Sequence, residues 1–138
     1  MSNESNEFIL VVEDSAPNRN ILCHLIKKLG FQVKEAENGK VAWEILEKWD
    51  ASHTLLAIFS DIMMPEMDGV QLLEKVRATE NFATVPFSLV TAVSDKEYVI
   101  RAKALNVNGY VLKPVSHDKV LKKLQQFFPG RQFPKLVA

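Results

Sequence analysis

Short apolar runs alternate along this chain with longer stretches in which apolar residues recur every three or four positions. Runs such as Phe8–Val12 and Leu55–Phe59 are brief and continuous, which is typical of strands buried on both faces of a parallel sheet. The stretches between them, of which Ala16–Leu29 is the first, each carry one apolar stripe and predict amphipathic helices. The predicted strands are residues 8–13, 31–34, 55–61, 85–91 and 109–112, and the predicted helices are 16–29, 40–49, 70–78, one opening at 94–97, and 117–128.

The residues at the ends of these elements agree with the pattern. Gly30 follows the first predicted helix and suits its C-terminal stop, while Asp68 and Ser116 are candidate caps of later helices. Residues 94–97 have the form of a capping box. Strands and helices that alternate five times predict an α/β fold, in which helices cover both faces of a parallel sheet.

The bulk composition excludes several classes of protein. The 138 residues suit one domain, and an apolar content of 47% is enough for a core. Basic and acidic residues number 17 each, so no basic surface supports direct nucleic-acid binding. No apolar stretch approaches the ~20 residues that span a bilayer, and the first residues lack a signal peptide's features, so we expect a cytoplasmic protein without membrane insertion. Cys23 is the only cysteine; it cannot form an internal disulfide, and its apolar neighbours predict a buried thiol.

Charged and hydroxyl side chains stand where the predicted strands end. Glu13 and Asp14 follow the first strand, Asp61 ends the third, Thr91 ends the fourth and Lys113 follows the fifth. Chemistry gathers at the carboxyl ends of the strands in an open parallel sheet, so we expect these side chains at one edge. Clustered carboxylates repel one another unless a cation lies among them, which indicates a divalent metal site.

This combination of groups suits one type of reaction. Mg²⁺ favours one or two carboxylates together with water and phosphate oxygens, and Lys113 adds a positive charge for an anion. Thr91 offers a hydroxyl donor. Together these groups would stabilise a phosphoryl group that moves onto an aspartate, because positioning and charge neutralisation are most of what phosphoryl transfer requires.

Four strand-end motifs resemble those of the receiver domain of two-component response regulators, in family order. They are Val11–Asp14, Asp61–Gly69, Val90–Ala92 and Gly109–Pro114, within a resemblance that spans residues 8 to about 128. The resemblance implies a doubly wound, flavodoxin-like (βα)5 sandwich with a five-stranded parallel sheet of order 2-1-3-4-5. It also implies a phosphoacceptor signalling domain rather than an enzyme.

The resemblance assigns a role to individual residues. Asp61 corresponds to the phosphoacceptor, and the metal, Mg²⁺ with Mn²⁺ as an alternative, is held by Asp61, Asp14 and the backbone carbonyl of Met63, with Glu13 acting through water. Thr91 and Lys113 correspond to the phosphate-contacting residues, and Tyr110 to the aromatic that rotates inward when Thr91 moves. Gly69 and Pro114 have structural roles, and the Lys113–Pro114 peptide bond is expected to be cis.

The resemblance also implies partners and boundaries. A sensor histidine kinase or phosphotransfer protein would supply the phosphoryl group, and a downstream protein would bind the face of the fourth helix, fifth strand and fifth helix. The residues expected on that face are Lys96, Arg101, Tyr110, Lys119 and Lys122. We predict a disordered N-terminus at residues 1–6, a receiver domain at 7–128, and a tail or linker at 129–138. The sequence leaves open whether the protein forms a homodimer on phosphorylation.

Three other functions fit the sequence less well than a phosphoacceptor domain does. A phosphatase of the haloacid dehalogenase type needs a second aspartate two residues after the nucleophile, and Met63 occupies that position. A flavodoxin-like electron carrier needs a loop that accepts phosphate after the first strand, and Glu13 and Asp14 would repel it. A receiver that no longer accepts phosphate is disfavoured by the complete set of acids, threonine and lysine.

Overall fold

A computed structural model describes residues 6–91 and 96–134 of the chain. Five parallel strands form one sheet in the order β2-β1-β3-β4-β5, as predicted. The strands are β1 Glu7–Val12, β2 Gln32–Ala36, β3 Thr54–Asp61, β4 Phe87–Thr91 and β5 Gly109–Leu112. The helices are α1 Ala16–Lys28, α2 Gly39–Glu47, α3 Gly69–Arg77, α4 Lys96–Ala104 and α5 His117–Phe127, with a 3-10 turn at Glu80–Phe82.

The sheet is buried between two layers of helices, and strand β1 shows why its sequence is continuously apolar. Successive residues of β1 point to opposite faces, so Leu10 and Val12 join the core under α2 and α3, whereas Ile9 and Val11 join the core under α1 and α5. All four side chains are fully buried. The chain order reverses between β1 and β3, the position where a crevice opens at the carboxyl edge of such a sheet.

The observed elements differ from the predicted ones mainly at their ends. Helix α2 ends at Glu47 rather than at residue 49. Trp49 lies beyond the helix, and its indole donates a hydrogen bond to the carbonyl of His53. Strand β2 extends to Ala36, because it continues to pair with β1 up to Val12. Residues 94 and 95 of the predicted capping box lie outside the described residues. No helix in the described part of the chain has the length and apolarity needed to cross a membrane.

Cys23 is buried on the inner face of α1, as its neighbours predict. Burial raises the pKa of its thiol to about 12, and the nearby carboxylate of Glu35 acts in the same direction. The thiol therefore stays protonated at neutral pH and belongs to the core.

The segment after α5 folds back onto the domain over its described length. The ring of Phe31 lies between those of Phe128 and Phe133, at centroid distances of 5.8 and 6.1 Å. The guanidinium of Arg131 lies 4.3 Å from the centroid of the same Phe31 ring. Residues 129–134 therefore contribute apolar packing beside α1, while residues 1–5 and 135–138 lie outside the described residues.

Replacing Phe133 tests whether this segment stabilises the domain. We expect Phe133→Ala to lower the free energy of unfolding by about 1–2 kcal/mol, less than a core phenylalanine costs, because the ring is half-buried. Urea unfolding measures the change, and Gln132→Ala at the exposed neighbouring position is the matched control. Identical unfolding midpoints for the two variants would show that the segment adds no stability.

Candidate functional site

Three carboxylates meet at the carboxyl edge of the sheet. Glu13 and Asp14 follow β1, Asp61 ends β3, and β1 and β3 are neighbours paired through Val12 and Ser60. Carboxylate oxygens of the three acids lie within 4.8 Å of one another. Glu13 and Asp61 are buried, with 2% and 8% of their surfaces exposed, whereas Asp14 is exposed. The structure thus brings together the acids that the sequence placed at separate strand ends.

Lys113 bridges two of these acids. Its Nζ lies 2.6 Å from Glu13 Oε1 and 3.3 Å from Asp61 Oδ2. Thr91 is buried at the end of β4, and its carbonyl accepts a hydrogen bond from the Lys113 amide at 2.9 Å. The predicted lysine, threonine and acids therefore belong to one cluster at the ends of four strands.

The electrostatics of the cluster favour a charged lysine. Burial alone would lower the pKa of Lys113, but its hydrogen bond to Glu13 and the negative charges of Asp61 and Glu13 outweigh burial and raise the pKa above its ordinary value. The pKa of Asp14 is also raised, first by partial loss of solvent and then by its hydrogen bond to Glu13 and that group's charge. A further cation among these acids would relieve the remaining repulsion.

The donor set fits a hard divalent cation. All the candidate side-chain ligands are carboxylate oxygens, which is the chemistry that Mg²⁺ and Mn²⁺ prefer, and the cluster contains neither histidine nor cysteine. Asp14 remains open to solvent, so an ion could keep several of its waters.

The carboxylate of Asp61 is oriented by its backbone surroundings. Its Oδ1 accepts a hydrogen bond from the amide of Ile62 at 2.8 Å, while Oδ2 faces Lys113. The amide of Gly69 donates to the carbonyl of Ile62 at 2.8 Å, which draws the start of α3 against the end of β3. A Cβ added at Gly69 would overlap the carbonyl oxygen of Asp61, so only glycine permits this approach.

The start of α3 is fixed by a capping box. The side chain of Asp68 accepts from the amide of Gln71 at 2.7 Å, and the Gln71 side chain accepts from the amide of Asp68 at 2.9 Å. Asp68 is therefore committed to the helix end, as its candidate cap role predicted, although it follows Asp61 by only seven positions.

Two residues that sequence reasoning did not single out hold Glu13 in place. The amide of Ser15 donates to Glu13 Oε2 at 3.1 Å, and Arg19 Nη1 donates to the Glu13 carbonyl at 2.8 Å. Arg19 Nε also pairs with Glu35 on the neighbouring strand β2, at 3.2 Å. The sequence feature that could have indicated this contact is the position of Arg19, in the first turn of the helix that follows Glu13.

The remaining predicted site residues lie around this cluster. Met63, two positions after Asp61, is 56% exposed, and the Lys113–Pro114 peptide bond is cis, as expected. Tyr110 is half-buried, and its hydroxyl donates to the carbonyl of Val99 in α4 at 3.2 Å. Burial raises the pKa of the Tyr110 phenol, so the hydroxyl remains a donor at neutral pH.

The predicted partner face is described except for the side chain of Lys96. Arg101 lies over the ring of Tyr98, at 5.9 Å from the centroid, and Lys122 is exposed. Lys119 donates to the carbonyls of Leu112 and Pro114, at 3.1 Å each, so it is tied to the loop that follows β5.

Cavity size does not locate the chemistry in this fold. A cavity of about 630 Å³ lies at the opposite edge of the sheet, beside Trp43, Trp49 and Phe82, and contains none of the clustered acids. A smaller groove of about 90 Å³ adjoins the site and is lined by Glu13, Lys113 and apolar side chains of α1 such as Ile21. We assign the candidate site from its convergent charges, because those carry the chemistry.

Comparison with known proteins agrees with this geometry. Residues 9–125 match the family model described as the response regulator receiver domain. Chemotaxis protein CheY1 of Helicobacter pylori is 38% identical over 118 residues, covering 85% of this chain and 93% of that protein. Chemotaxis protein CheY-3 of Vibrio cholerae is 35% identical over 124 residues, covering 89% of this chain and 92% of that protein.

Solved structures share the same fold. Chemotaxis protein CheY4 of Vibrio cholerae superposes with a TM-score of 0.79 at 27% identity, covering 88% of this chain and 98% of that chain. The receiver domain of a sensor histidine kinase from Pseudomonas aeruginosa, with a magnesium ion coordinated in its active site cleft, gives a TM-score of 0.78 at 26% identity. That match covers 89% of this chain and 98% of that chain.

Substitution of Gly69 tests the close approach of α3 to Asp61. We expect Gly69→Ala to lower the free energy of unfolding by about 2 kcal/mol, because the added methyl group overlaps backbone that cannot move aside easily. Urea unfolding provides the measurement. The matched control is Gly130→Ala, where no heavy atom lies within 4 Å of the added carbon. A wild-type midpoint in Gly69→Ala would contradict the packing described above.

The raised pKa of Asp14 predicts a pH-dependent gain in stability on its removal. A carboxyl whose pKa is raised on folding binds its proton more tightly in the native state, so its contribution to stability is lost as the pH rises through that value. Without divalent metal, Asp14→Asn should therefore be more stable than wild type at pH 7, by about 0.5 kcal/mol. The gain should shrink as the pH is lowered to 4, because proton binding by Asp14 of the wild type removes the repelling charge.

Thermal unfolding at both pH values, with the exposed Glu37→Gln as control, measures this difference. A gain that is the same at pH 4 and pH 7 would assign it to something other than the charge of Asp14.

Proposed function

The chain belongs to the family of response regulator receiver domains, and on that premise we propose that it accepts a phosphoryl group on Asp61. The family serves two-component signalling, and the relatives named above are chemotaxis response regulators of the CheY type.

One observation carries the proposal more than any other. Asp61 is a buried acid of the cluster that ends a strand, with one oxygen held by the Ile62 amide and the other facing Lys113 at 3.3 Å. A carboxylate held in this way can attack phosphorus while the phosphorus–nitrogen bond of a phosphohistidine breaks. The lysine then offsets part of the charge that the phosphoryl group brings.

We assign the binding of Mg²⁺, or of Mn²⁺ in its place, to four groups. They are Asp14, Asp61, the backbone carbonyl of Met63 and, through water, Glu13. When bound, the ion would neutralise charge on the phosphoryl oxygens. Glu13 has a second task that needs no metal: it keeps Lys113 at the mouth of the site, at 2.6 Å.

Thr91 and Tyr110 are proposed to report the state of Asp61 to the surface. Thr91 ends the strand next to β3, and we propose that its hydroxyl moves towards a phosphoryl oxygen. Tyr110 lies on the neighbouring strand β5 and contacts α4 through Val99. A phosphoryl group that binds one arrangement of these side chains better shifts the population towards it.

The face of α4, β5 and α5 is the proposed binding surface for a downstream protein, and a histidine kinase or phosphotransfer protein is the proposed phosphodonor. Lys119 and Lys122 make α5 basic in its middle, which suits an acidic partner. The domain proposed to carry these functions spans residues 7–128, in the cytoplasm, and turns over no substrate other than its own phosphoryl group.

Phosphorylation by a small-molecule donor tests the proposal. We expect the protein to gain one phosphoryl group on incubation with acetyl phosphate and Mg²⁺, measured as intact mass, and to gain none when Mg²⁺ is removed by chelation. Asp61→Asn should gain none under either condition, because the amide removes the attacking carboxylate.

A matched control lies in the same loop. Asp68→Asn should be phosphorylated like wild type, since Asp68 acts as a helix cap and asparagine serves equally well there. Loss of the modification in both variants would indicate that the loop fold, rather than the Asp61 carboxylate, is required. Modification of Asp61→Asn at the wild-type rate would reject the proposed acceptor.

A further inference from the structure

Arg77, the last residue of α3, uses its whole guanidinium group to join three parts of the fold. Its acceptors are the carbonyls of Leu105 at 3.1 Å, Ala83 at 3.3 Å, Val85 at 2.8 Å and Asn106 at 3.0 Å, and the Asn108 side-chain oxygen at 2.8 Å. A guanidinium carries five N–H donors, and these five bonds engage every one of them.

The contact differs from an ordinary surface ion pair. Within residues 6–91 and 96–134, all the acceptors of Arg77 are neutral oxygens, and no carboxylate pairs with it. Burial lowers the pKa of the guanidinium. An arginine side chain nevertheless stays charged in proteins. Hydrogen bonds to a charged donor are stronger than neutral ones, which makes this junction rigid.

Two of the carbonyls that Arg77 binds, those of Leu105 and Asn106, lie at the end of α4. Helix α4 ends in a Schellman motif: the amide of Val107 donates to Ala102, the amide of Asn106 donates to Lys103, and Asn106 has a left-handed φ of 59°. The carbonyls of Leu105 and Asn106 lie at this C-terminal end, where the helix dipole favours a positive charge.

Asn108 extends the same junction into the sheet. Its side-chain oxygen accepts both from Arg77 and from the amide of Phe87, the first residue of β4, at 2.7 Å. The backbone amide of Asn108 donates to the Phe87 carbonyl at 2.9 Å. The C-terminal end of α4 is thus fixed to α3 and to β4 through one cation.

Elsewhere in α4 the described side chains are less buried, although Tyr98 packs against the core. Of the described side chains of α4 only Ala102 is fully buried, and that residue lies at the fixed end. Ile100 is 66% exposed, and the bond from Tyr110 to Val99 is a single neutral hydrogen bond of 3.2 Å. A helix fixed at one end and lightly packed along its length moves most easily by rotation about the fixed end.

We propose that the Arg77 junction is the fixed pivot of α4, about which the helix turns when the state of Asp61 changes. Arg77 is therefore a positioning residue: it touches neither the acids nor the phosphoryl group, and it converts local changes near Thr91 into a defined movement of the partner face. The inference rests on the proposed function, because it presumes that Asp61 changes state.

Amide hydrogen exchange of the wild-type protein tests the pivot, with beryllofluoride and Mg²⁺ as a stable substitute for the phosphoryl group. We expect protection of the amides of residues 97–100 and of β5 to change by about fivefold or more on adding beryllofluoride, and that of residues 105–108 by less than about twofold. A change at 105–108 as large as that at 97–100 would overturn the pivot while leaving the proposed function intact. No change at any amide would overturn both.

Arg77→Lys separates the pivot from simple stabilisation. Lysine keeps the charge but loses the planar fork, so beryllofluoride should now alter exchange at residues 105–108 as well. Val76→Ala, which removes a fully buried side chain from the same turn of α3, is the control for lost stability. It should keep 105–108 insensitive to beryllofluoride. Equal sensitivity of 105–108 in both variants would overturn the specific role of Arg77.

Discussion

The pairing of β1 with β3 forces like charges together, and the rest of the site follows from this constraint. Parallel neighbours bring their carboxyl ends to one edge, so Glu13, Asp14 and Asp61 meet there whatever their charge. Lys113 offsets part of the repulsion by lying between Glu13 and Asp61. A cluster balanced in this way responds strongly to an added cation or anion, because either one changes which partner the lysine prefers.

The backbone around Asp61 limits where such a response can travel. Helix α3 is locked against the end of β3, since Gly69 lies in direct contact with the Asp61 carbonyl and Asp68 completes a capping box. A helix start fixed so closely cannot shift far when Asp61 changes. The strands on the other side of Asp61 lead through Thr91 and Tyr110 to α4.

The alternation of apolar patterns and the turn residues, which are local signals, predicted the five alternating units and the meeting of the strand-end residues. The strand order was implied by the resemblance to receiver domains. The sequence could not predict contacts that depend on three-dimensional packing. Nothing in the pattern distinguished Arg19 from other charged residues on α1, although it binds the Glu13 carbonyl. Nor did it indicate that Phe133 returns to Phe31, since a short apolar segment after a Pro-Gly turn carries no periodicity.

Lys113 and Arg77 make different kinds of contact, and the difference follows from the chemistry of the two side chains. Lys113 is a point charge on a flexible stem, held by two carboxylates that a phosphoryl group would compete with, so its contacts can be exchanged. Arg77 is a planar fork with five neutral acceptors, so exchanging any one of them leaves an N–H donor of the guanidinium or an acceptor oxygen without that partner. A switch needs both kinds of contact. In the proposed switch, the exchangeable contact of Lys113 would sense the change of state, and the fixed contacts of Arg77 would make that change move α4 in a single direction.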